Sequence, residues 1–92
     1  MTAPDRDSRP ALRAGIRLQH DRVRDQWVLL APERVIELDE TARQVVQRFD
    51  GERSLAQIAQ ALAQEFDAPV AEIEADVIEL AATLGHKRVL RP

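Results

Sequence analysis

The apolar period changes once along this chain, at Asp39, and that single change restricts the folds open to it. Before it, Ile16, Leu18 and His20 alternate with Arg17 and Gln19, the two-residue period of a strand with one buried face. Residues 27–30 (WVLL) form a second apolar run that stops at Pro32, and Val35, Ile36 and Leu38 form a third. The charged stretch from 20 to 25 turns the first two runs into a hairpin. The tight turn at Pro32 and Glu33 adds the third strand, which makes a small antiparallel meander. After Asp39 the spacing is helical. Asp39 suits an N-cap with Glu40 in the positive first turn. Ala42, Val45, Val46 and Phe49 make a buried stripe, and Gly51 is expected to end it as a left-handed C′ residue. Ser54 and Gln57 have the capping-box spacing. They open a one-sided helix with Leu55, Ile58, Ala59, Leu62 and Phe66 on the buried face and Gln57, Gln60 and Gln64 opposite. The expected class is α+β, three short strands followed by three helices.

The third helix differs from the second. Pro69 suits its first turn and Gly85 its end. At about 100° per residue, Ile73, Val77, Leu80 and Leu84 fall within roughly 60° of arc. Ala71, Ala75, Ile78 and Ala82 gather on the other side, with Glu72, Asp76 and Glu79 on one flank between them. One apolar stripe is easily covered within a small domain. The second has no obvious intramolecular client, although alanine is also common on solvated helix faces. A shallow groove open to a partner accounts for it. The three-stranded sheet points the same way, because an uncovered edge strand invites another strand and peptides bind by this route. Residues 34–38 are such an edge, and beside the second stripe they would make a peptide-sized cleft.

Composition narrows the function classes. Ninety-two residues predict one domain, with residues 1–11 read as a flexible arm because Pro4, Pro10 and scattered charges show no period. A chain this short buries only roughly 60–65% of its unfolded surface, and it is too short for the usual cofactor-binding α/β folds. It contains no cysteine, so disulfides, thiolate zinc sites and thiol nucleophiles are excluded. Residues 1–12 have no apolar core of a secretory signal, and the longest apolar run, residues 27–31, is far below the ~20 needed to span a bilayer. A cytoplasmic, membrane-free protein is expected. His20 and His86 have no ligand-spaced partners, Ser8 and Ser54 have no triad, and Gly15, Gly51 and Gly85 form no phosphate loop. No metal, no cofactor and no catalytic residue is expected. Trp27 and His20 are read as core or hairpin-lining residues.

The motifs taken in order carry a resemblance. LLAPE at 29–33, VIELD at 35–39, FDG at 49–51, SLAQI at 54–58, then Leu62, Phe66 and the run from Val77 to Leu84 resemble the D-protein family of pyrroloquinoline quinone biosynthesis over residues 12–90. No single motif is specific; the ordered set is. The resemblance implies a winged-helix-like fold and a peptide chaperone without catalytic activity. Such a protein holds a ribosomal precursor peptide for a radical S-adenosylmethionine enzyme, protein E of the pathway, which cross-links a Glu and a Tyr of the peptide. Related recognition domains seat a leader peptide as an extra strand between the third strand and the third helix. Carried over by position, Arg34, Val35, Ile36, Glu37 and Leu38 pair with the peptide. Ala71, Ala75, Ile78 and Ala82 form the apolar floor, with Ile73, Val77 and Leu80 as the alternative stripe. Ala31 stands where the family often has a larger, frequently aromatic residue, and His86 departs from the usual tail.

Two rival readings share these features. A winged-helix DNA-binding regulator would dock its third helix near the major groove. Residues 1–50 hold nine Arg against nine acids, whereas 65–79 carry six acids and no base. That is the wrong sign for phosphate, so no nucleic-acid partner is expected. A homo-oligomerisation module, with a homodimer formed through the exposed edge or stripe, is the other.

Overall fold

The structure is a computed structural model that describes residues 3–91. Met1 and Thr2 of the expected arm, and Pro92 of the expected domain 12–92, lie outside the described residues. The sheet is the expected meander: β2 (Arg17–Asp21), β3 (Gln26–Ala31) and β4 (Arg34–Leu38), antiparallel, in the order β2-β3-β4. Before it lies β1 (Ala11–Leu12), and after it come α1 (Glu40–Val46), α2 (Leu55–Phe66), α3 (Val70–His86) and β5 (Leu90–Arg91).

Local chemistry explains most boundaries. The β2–β3 turn is drawn in by Asp21, whose Oδ1 accepts from the N–H of Val23 at 3.0 Å and of Arg24 at 3.3 Å. Asp25 completes it at φ 52°, a conformation that Asp tolerates better than most residues. Asp39 caps α1 by accepting from the Ala42 N–H at 2.7 Å. At α2 the capping box is complete, with Gln57 N–H to Ser54 Oγ at 3.1 Å and Ser54 N–H to Gln57 Oε1 at 2.8 Å. Three helix ends depart from expectation. α1 stops at Val46, and Gly51, although at φ 79°, lies beyond two further turns that end at Phe49. Pro69 is the N-cap of α3 rather than a first-turn residue. Gly85 lies inside α3, and the left-handed residue that stops the helix is Arg88, at φ 61°.

The core lies between the sheet and the helices. Leu29, Leu38, Val46, Leu55, Ile58, Val77, Leu84 and Val89 are at most 4% exposed. α3 packs chiefly on α2, while β4 packs on β3 and on α1. The expected stripe of α1 is buried at Val45, Val46 and Phe49, with Ala42 half-buried. On α2, Leu55, Ile58, Ala59 and Leu62 are buried, but Phe66 is 54% exposed. It is the last residue of α2.

The first residues are tied to the domain through main-chain groups. Ser8 and Arg6 carbonyls accept from the N–H groups of Leu55 and Ala56, both at 3.0 Å. These are orphan donors of the first turn of α2. The Pro10 carbonyl accepts from Gly51 N–H at 3.0 Å, and β1 pairs antiparallel with β5. Arg6 Nε reaches Glu74 Oε1 on α3 at 2.9 Å. That contact, first as a hydrogen bond and then through charge, raises the Arg6 pKa above its ordinary value.

Candidate functional site

β4 borders its sheet on one side only, and its pairing shows which of its groups are free. Ala31 pairs with Arg34 across a two-residue turn, Leu29 with Ile36 and Trp27 with Leu38. A turn that short makes Ala31 and Arg34 a hydrogen-bonded pair, and antiparallel alternation then makes Ile36 and Leu38 the next two. Val35 and Glu37 fall between them. Their N–H and C=O groups point away from β3, along the open edge. Among the described residues, no main-chain hydrogen bond from another element reaches either one.

Side chains alternate across the strand the other way. Arg34, Ile36 and Leu38 share the face that carries Leu29 and the core, with Leu38 buried and Ile36 half-buried. Val35, 59% exposed, and Glu37 stand on the opposite face, where Arg24 Nη1 lies 3.7 Å from Glu37 Oε1. All five expected edge residues are thus on one strand, but not equivalent: Val35 and Glu37 leave their backbone groups along the open edge, whereas those of Arg34, Ile36 and Leu38, also expected to pair with a peptide, are used by β3.

α3 divides its apolar residues in an informative way. Val77, Ala81 and Leu84 are 1–2% exposed and belong to the core. Ile73 and Leu80 are half-buried on one flank. On the other flank Ile78 and Ala82 are half-buried, Ile78 packing against the core, while Ala71 and Ala75 are exposed. Glu74, held by Arg6, is one helical turn from Ile78, so the N-terminal segment is a neighbour of that flank. The expected second stripe therefore has a partial client within the chain.

A built aromatic stack braces the base of the edge strand. His20 and Trp27 are cross-strand partners with ring centroids 4.9 Å apart, and Arg43 of α1 lies over the indole. His20 Nε2 shares a 2.9 Å hydrogen bond with Asp25. The side-chain amide of Gln26 donates to the Leu38 carbonyl at 2.7 Å, pinning the end of β4. No group of three or more metal-type ligands occurs among the described residues.

A feature that the residue pattern did not reveal lies where β4 begins. An open depression of about 520 Å³ separates the turn at residues 31–34 from Arg88 and Val89 after α3, with Ile16 in its wall. Arg88 was hidden by the expectation that α3 ends at Gly85. Its signal, a non-glycine residue at a left-handed cap, is visible only in the backbone.

Four likenesses accord with this geometry. Residues 26–90 match the family model described as coenzyme PQQ synthesis protein D. A Xanthomonas oryzae pv. oryzae protein named PqqA binding protein is 75% identical over 91 residues, 99% of each chain. The solution structure of the PqqD part of Methylobacterium extorquens PqqCD, described as a stand-alone recognition element for ribosomally synthesized and post-translationally modified peptides, superposes with a TM-score of 0.80. It is 48% identical and covers 90% of this chain and 88% of its own. A lasso peptide synthetase B1, solved with the leader peptide, has a TM-score of 0.78 at 26% identity, covering 92% of this chain and all of its own.

Proposed function

The chain belongs to the coenzyme PQQ synthesis protein D family, and from that premise we propose that it is a non-catalytic chaperone for the PqqA-type precursor peptide. The recognition domain is residues 12–92. The guest adds a strand to β4 and is presented to the radical S-adenosylmethionine enzyme of the pathway, in the cytoplasm. The observation that carries this reading is the unpaired backbone of Val35 and Glu37.

Magnitudes decide how the site works. Two N–H and two C=O groups allow four edge hydrogen bonds, each worth a net ~0.5–1.5 kcal/mol. Ordering four or five peptide residues costs roughly 1–2 kcal/mol apiece. The two sums are comparable, so backbone pairing alone gives register but little affinity. Apolar side chains of the guest must supply the rest, at about 25 cal/mol per Å² removed from water. The apolar surface for this is offered by Ile36 on β4 and by one flank of α3, Ala71, Ala75, Ile78 and Ala82 or, alternatively, Ile73 and Leu80.

Titration of ¹⁵N-labelled protein with a synthetic PqqA peptide tests the reading. Expected are amide shifts concentrated at residues 34–38 and along one flank of α3. Shifts confined to other regions, or none at all, would overturn it. The acidic α3 (Glu72, Glu74, Asp76, Glu79) opposes the DNA-binding alternative.

A further inference from the structure

Resting on the peptide-binding reading, we propose that the depression at the Arg34 end of β4 is a carboxylate pocket. It selects precursor peptides that carry an Asp or Glu where the added strand leaves the sheet, and it fixes the guest's register.

Placement is the first argument. Arg34 opens β4 and its side chain lies on the helix-side face with Ile36 and Leu38, so it points toward the depression that Arg88 closes from the end of α3. A strand held by Val35 and Glu37 runs directly past Arg34. The depression that Arg34 and Arg88 both line, with Ile16 and Val89 in its wall, therefore lies at the end of that strand's path.

Charge is the second. Among the described residues neither Arg34 nor Arg88 makes an ion pair or a side-chain hydrogen bond. Glu33 is the one acid in the lining, and it pairs with neither. Two unpaired guanidinium groups against one carboxylate leave the depression cationic. Guanidinium is also the side chain best shaped to grip a carboxylate with two parallel hydrogen bonds.

The backbone supplies an independent third argument. Arg88 occupies the left-handed C′ position of α3, with its N–H on the Gly85 carbonyl at 3.0 Å and φ 61°. Glycine is the ordinary occupant there, because a Cβ crowds the carbonyl in this conformation. The other two non-glycine residues at positive φ, Asp25 and Asp67, are of a type that tolerates it. Arg88 thus sits in a conformation that disfavours it and lines the same depression as Arg34.

The test is calorimetric titration of the full chain with synthetic PqqA peptide, at low and high salt, for wild type, Arg34→Gln and Arg88→Gly. Arg88→Gly is expected to keep or raise the melting temperature while weakening binding roughly three- to tenfold at low salt, with a smaller loss at high salt. Peptides whose acids are changed singly to amides complete a double-mutant cycle. One amide peptide should bind wild type as weakly as the native peptide binds Arg88→Gly, with no further loss in combination. Equal affinities for all three proteins, or strictly additive losses for every acid, would overturn the pocket and leave the chaperone reading intact. No binding by the wild type would overturn that reading itself, and the pocket with it.

Discussion

Arg43 sits with its guanidinium carbon 4.8 Å from the centroid of the Trp27 ring, joining α1 to the middle strand of the sheet. The same guanidinium contacts Glu40 and donates to Gln47 Oε1 at 2.9 Å, while its Nε is buried without a partner. A cation–π contact of this kind is worth about 0.5–2 kcal/mol, depending on exposure. Arg43→Ala should therefore lower stability by about 1–2 kcal/mol in urea unfolding. Because Trp27 is the only tryptophan, its emission reads the loss directly. An unchanged midpoint and spectrum would show that the stack is incidental.

Proline separates the two halves of the β4 ladder. At Val35 the lost N–H faces the open edge, where proline is tolerated. Val35→Pro should keep the fold, within about 1 kcal/mol, and weaken peptide binding by roughly tenfold. At Ile36 the lost N–H serves the bond to Leu29, so Ile36→Pro should unfold the sheet edge and lower the melting temperature by several degrees. Thermal melts paired with peptide titration read both effects. The opposite pattern would mean that β4 pairs with β3 one residue out of the register described, with Ile36 rather than Val35 facing the open edge.

A charge on α3 distinguishes the two flanks. Ile78→Asp and Leu80→Asp both place a carboxylate at a half-buried position, so both should destabilise by about 1–3 kcal/mol. Only the one beside the guest should also weaken peptide affinity at a temperature where both variants are folded. Equal affinity losses would mean that neither flank alone forms the cleft.

Asp50 gives the loop before α2 a pH dependence. Its carboxylate accepts from the N–H of Arg53 at 2.8 Å and of Glu52 at 2.9 Å. Those bonds, Arg53 first, lower its pKa from the ordinary 3.8. A depressed carboxylate contributes stability that is complete above the unfolded pKa and disappears as pH falls through the folded one. The stability gap between wild type and Asp50→Ala should thus be constant from neutral pH down to about pH 4 and close below it. A gap that persists into strong acid would assign the effect to something other than ionisation.

What the residue pattern revealed was local or periodic. Ser54 and Gln57 announce α2 because both partners of the capping box lie within one turn. Pro32 and Glu33 announce the turn that leaves residues 34–38 on an edge strand, but all five read alike as peptide-pairing; the observed register singles out Val35 and Glu37. The main-chain caps from Arg6 and Ser8 left no such trace, since any residue can offer a carbonyl. β1 and β5, two residues each, are too short to show a period. The burial of Ile78 and the exposure of Phe66 depend on where neighbouring elements end, which helical spacing alone does not contain. The cationic depression joins residues more than fifty positions apart in the chain, and only the folded backbone brings them together.

The β1–β5 ribbon has an architectural consequence. By clasping Ala11 to Arg91 and Leu12 to Leu90, it ties the segment that leads into the sheet to the segment that follows α3. Residues 6–10, which lend their carbonyls to the start of α2 and to Gly51, are thereby anchored from the far end of the chain as well. Loosening Leu90 and Arg91 would therefore free the leading segment together with the two main-chain caps it gives α2.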